Sequence, residues 1–506
     1  MTNIIRLFIF IVFTISAVSA IAEDQNTWIN DGKAALNAAK QLQPNNRKAK
    51  NVILFIGDGM GISTVTGSRI FEGQQRGVDG ERNQLSFEKL PYLALSKTYS
   101  ANQQTPDSAP TMTAIVAGVK TNDGVLALNQ NVKRGETNLA VIQANQVQTI
   151  LEKAEANGLA TGIISTARIT HATPAATYAH IPDRDWENDE MLPASAEKTG
   201  VKDIAVQLVE QGKQSAGDGI DVMLGGGRKN FLPMDVQDPE NPKKRGNRHD
   251  GRNLIAEYMQ QDGAAYVWNK AQFDAINPKK TKRLLGLFQP SHMHYEYDRA
   301  KDKAGEPSLA EMTTKAIDIL SQREKGYFLM VEAARVDHAS HAGNAYRSFS
   351  ETVALSDAVK ATLDKVDLSD TLIIVTADHS HSLTITGYPK RGNPILGKVI
   401  APDETEPTLA KDGKPYTTVN FANGLGYHEH VEEAKDIRTG RIKDMSDVDT
   451  TDPDFHQEAL VPLEHETHAA EDVAIFAGGP KAHLFHGVQE QSYIYYVMED
   501  AFGFNQ

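Results

Sequence analysis

The stretch Asn51-Val-Ile-Leu-Phe-Ile-Gly-Asp-Gly-Met-Gly61 decides the fold that this sequence predicts. Its apolar run, residues 51–56, is continuous rather than alternating, which is typical of a strand buried on both faces of a parallel sheet. The run leads directly into a glycine-rich turn that carries Asp58. Because ligands bind outside the carboxyl ends of strands in open α/β sheets, Asp58 is a candidate site residue. A turn aspartate between two glycines explains its position equally well.

The same arrangement, an apolar strand flanked by polar residues, recurs along the chain. Residues 308–323 between two such strands carry a helical apolar stripe, and a second stripe begins at Leu355. Alternating strands and helices predict an α/β fold with a mostly parallel central sheet and helices on both faces. The further strands are predicted at residues 161–165, 327–332, 371–376 and 473–476.

The 506 residues exceed the ~250–300 at which one simple core stops growing. We predict one large domain over residues 23–506 in which two polar, irregular segments, 234–306 and 386–460, are insertions on one face of the sheet. The first insertion contains two basic runs, residues 243–252 and 279–283. Solvated loops are the commoner role of such runs, and phosphate steering is the alternative.

Composition limits the possible functions. The formal net charge of −14 argues against a general nucleic-acid binder. The chain has no cysteine, so any metal must be held by histidines and carboxylates.

The first residues predict export. Residues 1–20 hold Arg6, an apolar run over 7–15 and small residues, which is typical of a secretory signal peptide cleaved near residues 20–22. A single membrane anchor is the alternative, but the run is shorter than the ~20 residues that a span requires. The prediction is therefore a periplasmic or secreted protein without a membrane anchor.

Ser108 is the candidate nucleophile. It stands beside Asp107 and just before Pro110, and residues 111–117 read as a helix that Gly118 closes. Unpaired backbone N–H groups at a helix start favour an alkoxide and a phosphate group. An ordinary serine N-cap is the alternative.

Histidines and carboxylates lie at strand ends in several separate segments. Nitrogen and oxygen ligands of this kind suit zinc, and oxygen ligands suit magnesium, so the set is large enough for two zinc ions and one magnesium ion. Adjacent Asp378 and His379 either serve one ion or face apart, and their spacing does not decide which. The candidate ligands are Asp58, Thr173, Glu332, Asp337, His341, Asp378, His379 and His468.

Four motifs, in this order, resemble the alkaline phosphatase family, close to its animal branch and over the whole mature chain. They are HATPAATYAHIPDRDW at 171–186, LGGGRK at 224–229, TADHSH at 376–381 and THAAEDV at 467–473. The resemblance implies broad hydrolysis of phosphate monoesters by a homodimer.

The resemblance also implies a role for each site residue. Ser108 is the nucleophile that becomes phosphorylated, and Arg184 grips two phosphate oxygens. His171 and His338 lie near the magnesium and the phosphate and tune the site without binding metal. The implied ligands are Asp337, His341 and His468 for one zinc ion, Asp58, Asp378 and His379 with Ser108 for the second, and Asp58, Thr173 and Glu332 for magnesium.

Three departures from the animal branch stand out. A fourth, calcium-like site matches at Glu240, Phe288 and Glu306, but Gln289 stands where an acid is expected, so the resemblance leaves that site open. Disulfides and a lipid-anchor tail are absent, and residues 386–460 retain only part of the family's crown insertion.

Two other functions compete with a monoesterase. A phosphodiesterase of the same superfamily is the first, although diesterases commonly use threonine and lack the Arg184 motif. A secreted zinc- or phosphate-binding protein without turnover is the second, although a binder has no need of a hydroxyl among its metal ligands. Sulfatases are excluded because the Ser108-Ala-Pro-Thr-Met112 segment lacks their Cys/Ser-x-Pro-x-Arg sequence.

Overall fold

The computed structural model describes residues 25–214, 217–426 and 444–504. The predicted signal peptide lies outside the described residues, as does part of the second predicted insertion. The strands are β1 Asn51–Gly57, β2 Tyr92–Lys97, β3 Ala160–Arg168, β4 Val222–Gly226, β5 Ala264–Val267, β6 Arg283–Leu287, β7 Tyr327–Ala333, β8 Thr371–Thr376, β9 Ser380–His381, β10 Leu383–Ile385, β11 Val419–Gly424, β12 Ala459–Pro462, β13 His468–Ala469, β14 Val473–Gly478 and β15 Val488–Glu490. The α-helices are α1 Gln25–Gln41, α2 Ile62–Gln75, α3 Ser108–Ala117, α4 Leu139–Ala144, α5 Ile150–Ala156, α6 Ala172–Ala175, α7 Ala194–Thr199, α8 Ile204–Val209, α9 Gln211–Gln214, α10 Leu254–Tyr258, α11 Lys270–Ala275, α12 Glu296–Arg299, α13 Leu309–Leu320, α14 Arg335–His341, α15 Ala345–Leu363 and α16 Tyr493–Phe502.

A ten-stranded sheet organises the chain, in the order β15-β2-β14-β8-β1-β7-β3-β4-β6-β5. Every neighbouring pair in it is parallel except the two that involve β14. The strand β1 lies between β7 and β8, with Ile56 opposite Glu332 on one side and Thr376 on the other. The predicted α/β fold with a mostly parallel sheet is therefore confirmed.

The strand β14 is the antiparallel exception. Its residue Ile475 pairs with Thr376 at the carboxyl end of β8. The chain therefore enters β14 at the edge where the parallel strands end. The segment before β14 lies at this edge, and there β13 pairs with β9, His468 opposite His381.

The core lies on both faces of the sheet. Val52 and Leu54 of β1 belong to one apolar cluster, and Ile53 and Phe55 belong to the other. All four side chains are fully buried. Burying each side chain contributes about 2 kcal/mol, which explains why a continuous apolar run specifies a central strand. Helices α13 and α15 pack over the second face, while α5 and α16 cover the first.

The two predicted insertions differ from each other in the structure. Segment 234–306 supplies β5 and β6, which extend the edge of the central sheet, so these parts lie in the sheet and not on one of its faces. The strand β6 is only five residues long and begins at the end of a basic run, so the sequence did not reveal it. Segment 386–460 contributes β11 and β12, which form a small separate sheet with β10.

Helix α1 has no buried residue. Within the described ranges, the structure contains no helix whose length and apolar composition would let it cross a membrane.

Candidate active site

Ser108 begins helix α3 and is 3% exposed. The side chain of Asp107 caps this helix by accepting a hydrogen bond from the Ala109 N–H (3.3 Å), and Gly118 ends the helix with φ of 73°. The alternative in which Ser108 is the N-cap is therefore wrong, because Asp107 has that role. The hydroxyl of Ser108 is free for other contacts, and its Oγ lies 3.1 Å from Nε2 of His379.

Asp58, Asp378 and His379 form one buried group of potential metal ligands. Nε2 of His379 lies 3.4 Å from Oδ1 of Asp58 and 3.3 Å from Oδ2 of Asp378. The side chains of the adjacent residues Asp378 and His379 therefore face the same candidate metal site. Burial, with the charges of Asp378 and other nearby acids, raises the pKa of Asp58 well above its usual range. Burial, with neighbouring imidazoles, lowers the pKa of His379. A bound cation would relieve the acidic repulsion that raises the pKa of Asp58.

Asp337, His341 and His468 form a second group. Nδ1 of His468 lies 2.7 Å from the Pro106 carbonyl, and Nδ1 of His341 lies 2.5 Å from the Glu466 carbonyl. Each ring therefore donates from Nδ1, and the lone pairs of both Nε2 atoms converge at 3.1 Å. Two converging lone pairs beside a carboxylate form a favourable site for a metal ion.

The sequence analysis missed His381, which belongs to this second group. Its Nε2 lies 2.8 Å from Oδ1 of Asp337, and its Nδ1 lies 2.5 Å from Oε2 of Glu466. A Cβ on Gly59, where φ is 67°, would lie 2.4 Å from the His381 ring. Glycine at position 59 therefore leaves room for this imidazole to orient Asp337.

Glu332 near the end of β7, Thr173 near the start of α6 and Asp58 directly after β1 lie together. Oε2 of Glu332 accepts a hydrogen bond from the Ser165 hydroxyl (2.5 Å). Its Oε1, the Thr173 hydroxyl and both Asp58 carboxylate oxygens are buried without a hydrogen-bond partner. Burial raises the pKa of Glu332 to about 8. Unpaired buried oxygens are costly, so this group fits an oxygen-liganded cation.

Arg184 reaches the same centre from the other side. One guanidinium nitrogen, Nη1, pairs with Asp107, and Nη2 lies 3.1 Å from Nε2 of His171. Burial alone would raise the pKa of Asp107, but the positive charge of Arg184 prevails and lowers it. The backbone N–H of Arg184 donates to the Gly124 carbonyl at 2.8 Å, which fixes the segment that carries it.

Three imidazoles lie behind Arg184, and the sequence analysis named two of them. The ring centroids of His171 and His338 are 5.6 Å apart, and His292 lies 4.2 Å from His338 and 5.4 Å from His171. Burial and the positive charge of nearby Arg335 together lower the pKa of His338 to about 3. The position of His292 depends on the path of the chain after β6, which was not predicted.

An open cavity of about 590 Å³ adjoins the second group and Asp107. Its wall includes Pro106, His341 and residues 465–468. The candidate metal ligands His341 and His468 therefore face an open space.

A third group of potential ligands lies in segment 234–306, where His294, Asp302 and Glu306 come together. Burial raises the pKa of Glu240, and a hydrogen bond with Asp302 raises it further. Glu240 therefore adjoins this group. Calcium prefers oxygen ligands, and the imidazole of His294 departs from such a set.

Fold and site together define the class of protein. A parallel sheet brings a buried serine, an arginine and two groups of histidines and carboxylates to the carboxyl ends of its strands, so the chain is a metal-binding α/β enzyme.

The chain belongs to the alkaline phosphatase family, whose model matches residues 49–504. It is 43% identical over 478 residues to an alkaline phosphatase of Gadus morhua, covering 93% of this chain and 95% of the relative. It is 41% identical to the tissue-nonspecific isozyme of alkaline phosphatase from Homo sapiens, covering 96% of this chain and 90% of the relative. The crystal structure of Thermus thermophilus alkaline phosphatase has the same fold, with a TM-score of 0.64 and 23% identity, covering 92% of this chain and 94% of that one. The chain is therefore a phosphoric monoester hydrolase, and phosphate monoesters are its substrates.

Proposed function

We propose that this chain is an exported alkaline phosphatase that hydrolyses many phosphate monoesters through a phosphoserine at Ser108, with two zinc ions and one magnesium ion. The observation that carries the proposal is the contact of 3.1 Å between the Ser108 hydroxyl and His379, inside the buried group that also contains Asp58 and Asp378. A nucleophilic hydroxyl among metal ligands is what a covalent mechanism requires.

The donor set supports this metal content. Asp337, His341 and His468 would hold one zinc ion, and Asp58, Asp378 and His379 with Ser108 would hold the second. Asp58, Thr173 and Glu332 offer only oxygen atoms and would hold magnesium. When bound, these ions stabilise negative charge on the serine, on the leaving oxygen and on the attacking water.

The protein residues supply the remaining steps. The Ser108 oxygen, having lost its proton, bonds to phosphorus in line as the bond to the ester oxygen breaks, and that oxygen leaves toward the group of Asp337 and takes up a proton. Water then attacks phosphorus from the same side, the bond to Ser108 breaks, and the proton lost by the water returns to the serine. The planar guanidinium of Arg184 matches two oxygens of the transferred phosphate. Asp107 holds Arg184 in place before the substrate arrives, because it pairs with the same guanidinium.

Broad specificity is supported by the open cavity beside His341 and His468, which places few contacts around the leaving group. Export rests on the sequence of residues 1–20 and predicts a periplasmic or secreted enzyme. A homodimer is the family's usual assembly and is proposed on that resemblance alone.

The test uses the mature protein, stripped with a chelator and refilled with zinc and magnesium. We expect a chromogenic monoester to be hydrolysed far faster than the matching diester, and we expect Ser108→Ala to abolish turnover. Ser321→Ala, at the exposed C-terminal end of α13, is the control and should retain full activity. Brief reaction with a ³²P-labelled monoester and acid quenching should label the wild type and leave Ser108→Ala unlabelled.

Preference for the diester would support the phosphodiesterase alternative. Metal and phosphate binding without turnover, unchanged in Ser108→Ala, would support the binding protein. Either result would overturn the proposal.

A further inference from the structure

We propose that Arg335, with the imidazoles of His292 and His338, forms a second anion-binding subsite that receives a second anionic group, a carboxylate or phosphate, of the same substrate molecule. This inference rests on the proposed function, because the subsite adjoins the place where that function puts the transferred phosphate.

Arg335 is a partly buried cation to which the described part of the chain supplies no carboxylate partner. It begins α14, directly after β7, and its guanidinium lies 3.8 Å from the ring centroid of Tyr295. Its Nε is buried and has no hydrogen-bond partner. Within the described ranges, Arg335 makes no ion pair with a carboxylate, whereas the neighbouring arginines 168 and 184 pair with Glu187 and Asp107.

Glu351, an acid whose pKa responds to the charge of Arg335, does not replace a counter-ion at neutral pH. Burial raises the pKa of Glu351 to about 8, despite a smaller opposing effect of Arg335. Near pH 7 the Glu351 carboxyl therefore keeps its proton. A partly buried guanidinium without a compensating negative charge is unfavourable, and an anionic ligand would compensate it.

The two imidazoles add hydrogen-bond donors to this cation. An arginine always donates, so Nδ1 of His338, at 3.0 Å from Nη1 of Arg335, must accept. Nε2 of His292, at 2.5 Å from Nη1 of Arg168, must accept as well. The proton of His292 therefore lies on Nδ1, which is buried without a partner.

This arrangement selects an anion over a metal ion. The imidazole lone pairs already face guanidinium groups, and the N–H groups that remain need acceptors. Burial lowers the pKa of His292, and the positive charges of Arg335 and Lys229 lower it further. Lys229, which follows β4, therefore adds positive charge near this imidazole. Carboxylate and phosphate oxygens supply the missing acceptors and the missing negative charge.

The position of the subsite indicates that both anionic groups belong to one substrate. The ring of His338 lies 5.6 Å from that of His171, and His171 contacts Arg184 at 3.1 Å. Two imidazole rings thus separate Arg335 from the arginine that would grip the transferred phosphate. A small phosphate ester with a second anionic group a few bonds away would reach both.

The test compares 3-phosphoglycerate with glycerol 3-phosphate, in which a hydroxymethyl group replaces the carboxylate. Both are assayed near pH 7 with the metal-loaded protein. We expect Arg335→Gln to lower the ratio of kcat/KM for 3-phosphoglycerate to that for glycerol 3-phosphate by about tenfold, because one charge-assisted contact is lost. His292→Gln should lower the same ratio. Arg245→Gln, in an exposed loop, is the matched control and should leave the ratio unchanged.

Each outcome decides the question. An unchanged ratio in both Arg335→Gln and His292→Gln, with both esters hydrolysed, overturns the subsite and leaves the proposed function intact. Weaker inhibition by inorganic phosphate in these variants with an unchanged ratio would assign the residues to a free anion and also overturns the proposal. Failure of the wild type to hydrolyse either ester would instead contradict the proposed function. If Arg335→Gln does not fold, as judged by thermal unfolding, His292→Gln alone decides.

Discussion

Replacing Glu351 by glutamine should stabilise the protein, and more strongly at alkaline than at acidic pH. Glu351 lies on α15, is 2% exposed, and accepts a hydrogen bond from the Glu296 backbone N–H at 2.5 Å. Burial raises the pKa of its carboxyl from 4.5 to about 8. Glutamine retains the accepting oxygen and has no charge to bury, so the variant isolates the cost of ionisation.

The magnitude follows from the two pKa values. Because the folded pKa is the higher one, the contribution of Glu351 to stability is full below pH 4.5 and is lost as pH rises to about 8. Each pH unit in that window changes the free energy of unfolding by about 1.4 kcal/mol. Between pH 6 and pH 9, roughly two units lie inside the window, so the advantage of Glu351→Gln over the wild type should grow by about 2–3 kcal/mol.

Urea unfolding of the metal-loaded proteins at pH 6 and pH 9 measures this difference. Metal loading changes with pH in the wild type and the variant alike, so the comparison between them cancels it. Glu324→Gln, in the exposed loop before β7, is the matched control and should show no such growth. An advantage of Glu351→Gln that is equal at both pH values, or one that Glu324→Gln reproduces, would refute the reasoning.

Three further predictions concern a helix cap, the phosphate clamp and the metals. Ser308→Ala removes the capping box that Ser308 forms with Glu311 and should lower the free energy of unfolding by about 1 kcal/mol; Ser308→Thr should restore it, and an equal loss in both variants would exclude capping as the cause. Arg184→Lys should lower kcat/KM for a monoester by roughly ten- to a hundredfold, because lysine lacks the planar pair of donors; unchanged kinetics would argue that Arg184 does not contact the phosphate. Chelator treatment should lower the thermal unfolding midpoint, because Asp58 and Glu332 are then buried together without a cation, and calorimetry that gives equal midpoints with and without metal would contradict this.

Much of the fold and several candidate ligands were predictable because their positions depend on local sequence. The apolar run of β1 specifies a central strand by burial alone. Asp58 directly follows β1, and Asp378 lies two residues beyond the end of β8, its parallel neighbour, so both must lie at the carboxyl ends of the strands. A strand and the residue after it suffice for such a prediction.

Other features depend on contacts between distant segments. His381 joins the group of Asp337 because β9 pairs with β13, and neither two-residue strand has a recognisable pattern of its own. The strand β5 was missed because three of its four residues are only partly buried and its polar surroundings resemble a loop. Asp107, and not Ser108, caps α3. The sequence did not predict this, because both residue types suit an N-cap and the backbone path decides between two adjacent candidates.

The position of β14 has a consequence for how the protein is made. This strand, residues 473–478, lies between β8 and β2, and β2 is residues 92–97. While the ribosome is still adding the segment that separates them, β2 has no partner on that side and β8 presents an open edge. The pairing of β14 with β8 and β2, and the arrival of His468 at the site, therefore become possible at almost the same stage of synthesis. Until then these two strand edges stay unpaired, which favours aggregation, and pairing between such distant segments is slow. Catalytic competence is thus acquired late, after the polypeptide is nearly complete.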